Sequence, residues 1–253
     1  MENFNTYSQY YDLLYQDKDY AAESMYILGL MKKYTSGLYK SLLELGCGSG
    51  NHAQYFCQHG LMVTGIDQSE AMVALAKAKA IDGFSPVVGE MATFKLDQQY
   101  DAVVALFHVI SYLNDNETLI SCFRNTYNHL KKGGLFVFDV WFTPAVLSQV
   151  PETRIRRMVN EHISVTRLAE PAVHHASNIV DVQYEVWVKE NQNGATTVIL
   201  ETHSMRHFCI PEIELLAQHT GFEVLGAEAF LSGAQPSKDT WGVCFTLRKT
   251  HNA

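Results

Sequence analysis

Residues 42–50 read Leu-Leu-Glu-Leu-Gly-Cys-Gly-Ser-Gly, and no other run constrains this chain as strongly. An apolar strand ends there in glycines at alternate positions, Gly46, Gly48 and Gly50. Glycine lets the backbone turn tightly and leaves no Cβ between it and a ligand. Asn51–His59 follows with a helical pattern. Its first N–H groups point into the space the glycines leave open, which favours a carboxylate or phosphate. Met62–Asp67 reads as the next strand, and Asp67 ends it 17 residues after Gly50. A carboxylate at that strand tip can accept both hydroxyls of a ribose.

The same alternation continues on both sides. Residues 19–34 predict a helix, Lys40–Leu45 the first strand, and Ser69–Ala80 a helix capped by Ser69. Ser85–Val88 is a short strand and Asp101–Phe107 an apolar strand buried on both faces. Asn114-Asp115-Asn116-Glu117 resembles a capping box, with an asparagine in the cap position, opening a helix to Leu130. Gly133-Gly134 then leads into a strand over Leu135–Val140. Strands alternating with helices of this length imply a parallel sheet with helices on both faces. After Trp141 the pattern becomes antiparallel. His162–Leu168, Ile179–Val188 and Thr197–Phe208 are long and rich in β-branched and aromatic residues, and Asn191-Gln192-Asn193-Gly194 marks a hairpin between the last two. Pro211–Thr220 predicts a helix with proline in its first turn and Gly221 just past its end. Strands over Phe222–Phe230 and Trp241–Arg248 close the chain. The expected organisation is a core over residues 1–145, an antiparallel insert over 146–209, and completion of the core sheet over 210–253.

Composition narrows the functional classes. A net charge of −8 disfavours a phosphate-tracking surface, so nucleic acid is not expected as a partner. No stretch approaches the ~18 apolar residues of a membrane span, and the N-terminus lacks a secretory pattern. The five cysteines are scattered and never spaced C-x-x-C, as expected of reduced thiols in a cytoplasmic protein. No metal motif stands out: His203 and His207 fall on a strand, where four residues separate them by roughly 13 Å.

A glycine turn with a downstream acid also suits a nicotinamide cofactor. Two details separate the readings. The pattern G-x-G-x-x-G asks for glycine where Asn51 stands, and Glu44 has no role under a pyrophosphate. The methionyl amino group of S-adenosylmethionine could use a carboxylate there. Glu44-Leu45-Gly46-Cys47-Gly48-Ser49-Gly50, with Asp67-Gln68-Ser69-Glu70-Ala71-Met72 and Gly89-Glu90-Met91, resembles the class I S-adenosylmethionine-dependent methyltransferases over roughly the first 140 residues. The resemblance implies a Rossmann-like α/β fold whose seven-stranded sheet ends in an antiparallel strand. It implies that Gly46, Gly48 and Gly50 line the methionyl part and Asp67 holds the ribose, next to Gln68. Glu90 and Met91 would flank the adenine, although the family more often has Asp at the position of Glu90. Leu106 and Phe107 would lie under the cofactor.

A narrower similarity is carried by Tyr11-Asp12-Leu13-Leu14-Tyr15, Lys18-Asp19-Tyr20-Ala21-Ala22-Glu23, Gly48, Gly50 and His52. It is to the sugar N,N-dimethyltransferases that act on nucleotide-linked amino sugars. By that resemblance Tyr15 and Tyr20 cover the methionyl end. The subgroup's N-terminal arginine is absent, so a carboxylate clamp there would fall to Lys18. Ordinary helix packing would also explain the tyrosines.

On the acceptor side, His108 follows the fourth strand at its C-terminal end, the binding edge of an open α/β sheet. It is the candidate general base; a histidine that merely shapes the pocket is the plainer alternative. His129, at a helix C-terminus, reads as a partner of the helix dipole. The insert should roof the pocket. Along Thr197–Phe208, Glu201, His203, Met205 and His207 share one face and Thr202, Ser204, Arg206 and Phe208 the other. Arg206 is the candidate for a substrate phosphate or carboxylate, and Trp141, Tyr184 and Trp187 could stack on a sugar or base. Arg154-Arg156-Arg157 reads as a solvated basic face. The chain therefore reads as a methyltransferase acting on N or O of a small polar acceptor, with a nucleotide-linked sugar leading. A homodimer through the insert is also expected. The alternatives are an O-methyltransferase of another hydroxylated metabolite and a non-catalytic protein that binds S-adenosylmethionine.

Overall fold

Two sheets organise the computed structural model, which describes Tyr10, residues 13–35 and residues 37–250. Residues 11 and 12 of the tyrosine-rich segment lie outside the described residues. The first helix, α1 (Tyr20–Tyr34), starts where the Asp19 side chain accepts the Ala22 N–H, and it buries Ile27, Leu30 and Met31. Then come β1 (Ser41–Leu45), α2 (Asn51–Gln58), β2 (Met62–Asp67), α3 (Glu70–Ala78), β3 (Phe84–Val88) and β4 (Tyr100–Ala105). A 3₁₀ turn (Val109–Tyr112) leads to α4 (Asn116–His129) and β5 (Leu130–Trp141). The chain returns to this sheet through α6 (Ile210–Thr220), β10 (Phe222–Ala229) and β11 (Gly242–Lys249). The sheet order is β10-β11-β5-β4-β1-β2-β3. The pairs β1–β2, β1–β4, β2–β3 and β4–β5 are parallel, while β11 is antiparallel to both β5 and β10. This is the expected seven-stranded sheet, with its last strand reversed.

The central strands are buried on both faces, and their alternation sorts side chains into two cores. Leu43, Leu45, Val103, Ala105, Phe136 and Phe138 pack on one side with Phe123 and Phe245. Leu42, Ala102, Val104, Leu135 and Val137 pack on the other against Ile27, Met31 and Phe56. Strong burial on both faces fixes the register, so the C-terminal ends of β1, β2, β4 and β5 are held along one edge.

The second sheet is antiparallel, in the order β6-β7-β8-β9. It comprises β6 (Arg154–Val159), β7 (Ile163–His174), β8 (Ile179–Glu190) and β9 (Thr196–Arg206). It is tied to the core where the chain leaves and returns: Phe208 N–H donates to the Trp141 carbonyl and Thr143 N–H to the Phe208 carbonyl, each at 2.9 Å. From the N-terminal segment Tyr10, Leu13 and Leu14 share one apolar cluster with Met72 of α3 and with Met158, Val165 and Val186 of the insert.

Several local expectations need correction. The basic run Arg154-Arg156-Arg157 is part of a strand, β6, most of whose residues are exposed and whose one buried residue is Met158. The helix cap is Asp115, whose carboxylate accepts the Thr118 N–H, and Asn114 instead reaches the Ser204 carbonyl. β5 begins at Leu130, because Gly133 (φ 73°) absorbs a bulge beside Tyr100/Ala102 that lets pairing start early. A short helix, α5 (Thr143–Ser148), with proline in its first turn, was not anticipated. Among the described residues no helix is long and apolar enough to cross a membrane.

Candidate active site

One pocket opens along the C-terminal edge of the parallel strands, beneath the insert. Its floor is the loop after β1, where Gly46, Gly48 and Gly50 have φ of 66°, 53° and 82°. These lie in the left-handed region that residues with a Cβ enter only at a cost. Their surroundings differ. A Cβ on Gly46 would stand 2.5 Å from Val109 Cγ1, and one on Gly50 2.6 Å from Phe84 Cε1, whereas a Cβ on Gly48 would meet nothing within 4 Å. Gly46 and Gly50 are glycines for packing, and Gly48 keeps the pocket floor open.

Asp67 ends β2 and shapes this floor. Its Oδ2 accepts the Gly48 N–H at 2.8 Å and its Oδ1 the Ser69 N–H at 2.9 Å. Burial raises its pKa, opposed by these two hydrogen bonds. Glu44 stands behind the floor, 1 % exposed, with Oε1 3.6 Å from His52 Nδ1 and Oε2 without a hydrogen-bond partner among the described residues. Burial, reinforced by the Asp67 charge, pushes the Glu44 carboxyl up to about 8.

His52 faces the pocket, and its Nε2 lies 2.7 Å from Glu23 Oε2. Glu23 also binds Lys18. Burial alone would raise the Glu23 pKa, but hydrogen bonds from His52 and Lys18 hold it below the ordinary value. Lys18 sits over the Phe107 ring at 4.3 Å, and Tyr15 meets the same ring edge-on at 5.0 Å. Tyr20 meets His52 edge-on at 4.9 Å. The N-terminal segment is thus strapped across the pocket mouth by charge and aromatic contacts.

Opposite the glycines, β4 runs into two consecutive non-glycine residues in the left-handed region, Phe107 (φ 65°) and His108 (φ 60°). Such strain, about 1–3 kcal/mol per residue, persists where the surroundings hold it in place. Here the hold is Asp139 on β5, 1 % exposed: its Oδ2 lies 2.8 Å from His108 Nδ1, and its Oδ1 accepts the His108 backbone N–H at 3.3 Å. Burial would raise the Asp139 pKa, but the His108 charge and hydrogen bonds lower it overall. Asp139 therefore stays ionised behind the imidazole, and Nε2 remains as the nitrogen for proton exchange.

The pocket brings together Tyr15, Tyr20, Gly46, Gly48, His52 and Asp67, with Gln68, Met91, Leu106, Phe107 and His108, and Trp141 and Tyr184 on the insert side. Six expected site residues are not in its lining: Glu44 and Gly50 support the floor, Glu90 stands beside its neighbour Met91, Lys18 sits over the Phe107 ring, Trp187 lies on the strand face opposite Tyr184, and Arg206 points away. Arg206 lies on the opposite strand face, forked onto Asn116 at 2.9 Å and Glu212 at 2.5 Å. The insert guanidinium packed behind the pocket wall is Arg167, 4.9 Å from the Tyr184 ring centre and donating to Tyr15 Oη at 3.2 Å. Nothing in the sequence set Arg167 apart from its neighbours. Asp139, Tyr112 and His203 also went unassigned, since only the fold places them beside His108 or in the pocket it lines. His129 is buried in the last turn of α4, with Nδ1 on the Asn125 carbonyl and Nε2 accepting the Leu96 N–H, so it also staples the loop before β4 to the helix end.

The reversed last strand, the glycine floor and the strand-tip Asp67 are the arrangement of an S-adenosylmethionine-dependent methyltransferase. The residues fit that cofactor: an open cradle at Gly48, the half-buried Asp67 carboxylate facing the cradle, and an orphaned acid at Glu44 beneath it. A methyltransferase-domain family matches residues 42–134. A putative methyltransferase of Bacillus subtilis is 27 % identical over 213 residues, covering 83 % of this chain and 84 % of the relative. A dTDP-3-amino-3,4,6-trideoxy-alpha-D-glucopyranose N,N-dimethyltransferase of Streptomyces venezuelae is 34 % identical over 136 residues, 53 % of this chain and 56 % of the relative, so that match spans about half of each. A methyltransferase structure from Clostridium acetobutylicum shares the fold with a TM-score of 0.82 at 22 % identity, covering 98 % of this chain and 99 % of that one.

Proposed function

We propose that the protein methylates N or O of a small polar acceptor, with a nucleotide-linked amino sugar as the leading candidate. The observation that carries this reading is the His108–Asp139 pair, 2.8 Å apart, with His108 beside Trp141 in the pocket that the glycine floor and Tyr184 also line. The Streptomyces venezuelae relative's name supports an amino sugar.

When bound, S-adenosylmethionine supplies an electrophilic methyl group on a sulfonium. Asp67 would accept the ribose hydroxyls, Glu44 and His52 would lie toward the methionyl end, Met91 would pack near the adenine, and Tyr15, Tyr20 and Phe107 would exclude water there. His108 Nε2 takes the proton that the acceptor nitrogen or oxygen loses, and Asp139 stabilises the resulting imidazolium. Trp141 and Tyr184 offer flat surfaces on which a sugar or base can lie. In this reading Arg167, rather than Arg206, supplies the positive charge near a phosphorylated acceptor. The exposed Ile155, Val198 and Leu200 of the insert sheet support a homodimer through that sheet, and the five free thiols support a cytoplasmic setting.

S-adenosylhomocysteine release across nucleotide amino sugars, the free sugars and small phenols tests the proposal. The nucleotide amino sugar is expected to turn over best. Preference for a phenol would remove the sugar from the reading, and no release with any acceptor would favour a binding protein.

A further inference from the structure

The pocket that His108 lines also holds a chain of polar groups with no part in the reaction as described so far. Tyr112 comes from the core, at the end of the 3₁₀ turn, while His203 and Glu201 come from β9 of the insert. The Tyr112 hydroxyl is 2.8 Å from His203 Nδ1, and His203 Nε2 is 3.2 Å from Glu201 Oε2. His203 is 4 % and Glu201 6 % exposed. The other Glu201 oxygen, Oε1, is buried without a hydrogen-bond partner among the described residues. Tyr112 and His203 line the pocket, and Glu201 stands behind them.

Donor and acceptor chemistry sets the direction of this chain. In the tautomer that presents Nε2–H to the Glu201 carboxylate, Nδ1 accepts and the Tyr112 hydroxyl donates to it. Burial holds the Tyr112 phenol well above its ordinary pKa, with Tyr184, Tyr15, Glu201 and Asp67 adding to the effect. The phenol therefore keeps its proton and spends it on His203. What it can present to the pocket is a lone pair. The groups facing this chain are consistent with that polarity: the Tyr184 ring meets His203 edge-on at 4.9 Å, Tyr10 lies near enough to feel the Glu201 charge, and Arg167 stacks on the far side of Tyr184.

We infer that Tyr112 binds the methyl acceptor, and that His203 and Glu201 are positioning residues that lock its hydroxyl to accept an N–H or O–H from that substrate. The inference rests on the methyltransferase reading of the pocket. It makes the core–insert seam a specificity element: the acceptor needs a hydrogen-bond donor at this point. The Glu201 carboxylate behind it favours an ammonium over a hydroxyl.

Nitrogen-15 NMR of the histidines in the complex with S-adenosylhomocysteine reads the tautomer, with His203→Gln assigning the signal. An Nε2–H ring is expected at His203, and an Nδ1–H ring overturns the chain. Calorimetry on the same complex then compares two probe pairs. One is the dTDP-3-amino-3,4,6-trideoxy sugar and its 3-hydroxy counterpart; the other is cyclohexylamine and cyclohexanol. Tyr112→Phe is expected to weaken amine binding by about tenfold or more, the scale of one hydrogen bond to a charged group, and to leave the affinity for S-adenosylhomocysteine unchanged. Glu201→Gln should narrow the preference for amine over alcohol while the fold melts as in the wild type. Unchanged amine affinity in Tyr112→Phe, or a wild type that binds neither amine, overturns the assignment. If the wild type binds cyclohexylamine but neither nucleotide sugar, the sugar reading fails separately and the small pair still decides the role of Tyr112.

Discussion

Replacing Glu44 with glutamine should flatten the pH dependence of stability, and the structure sets the size of the effect. Glu44 is 1 % exposed, and its carboxyl titrates at about 8 in the fold against an ordinary 4.5. Between those values the folded protein holds a proton that the unfolded chain has released, so stability falls as pH rises through the interval and levels off above it. At about 1.4 kcal/mol per pH unit, the gap caps the loss at about 5 kcal/mol. Partial charge compensation from His52, with Nδ1 3.6 Å from Oε1, would return some of it. Glutamine has the shape of the protonated acid and does not titrate. Urea unfolding of the cofactor-free protein at several pH values from about 5 to 9 measures the difference directly. Glu44→Gln should gain on the wild type as pH rises, by at least about 2 kcal/mol across the interval. Parallel curves for the two proteins would refute a neutral Glu44, and with it the burial argument for the cofactor floor.

Three further outcomes are expected. Asp67→Ala should weaken binding of S-adenosylmethionine by roughly 1.5–3 kcal/mol, the scale of hydrogen bonds to a charged group, as read by calorimetry; an unchanged affinity rejects the ribose role. His108→Ala should cut turnover by ~10²-fold or more with cofactor affinity intact, and Asp139→Asn should follow it in direction; turnover within a few-fold would leave His108 as a pocket wall. Arg167→Ala should raise KM for a nucleotide sugar while Arg206→Ala, which removes contacts with Asn116, Glu212 and the Phe208 ring on the far strand face, should leave it nearly unchanged. The reverse order in steady-state kinetics would return the phosphate role to Arg206.

Local chemistry made much of this protein legible from its sequence. The strand–glycine–helix run, the strand-tip Asp67 and the apolar runs of β4 and β5 act through neighbours close in the chain. They dictated the parallel sheet, the edge along which the pocket opens, and most of its lining around the glycine loop. His108 could be placed at that edge for the same reason, since it directly follows β4. The partners of those residues could not be read, because they are set by contacts between distant segments. Asp139 meets His108 across 31 residues, Arg167 meets Tyr15 across 152, and Tyr112 meets His203 across 91. Arg206 shows the limit in the other direction. Strand alternation correctly separated it from His203, but only the packing of the insert decided which of the two faces looks into the pocket. The buried face went to Glu201, His203 and Met205 because β9 lies over the 3₁₀ turn, and Arg206 was left to the neighbouring helix ends.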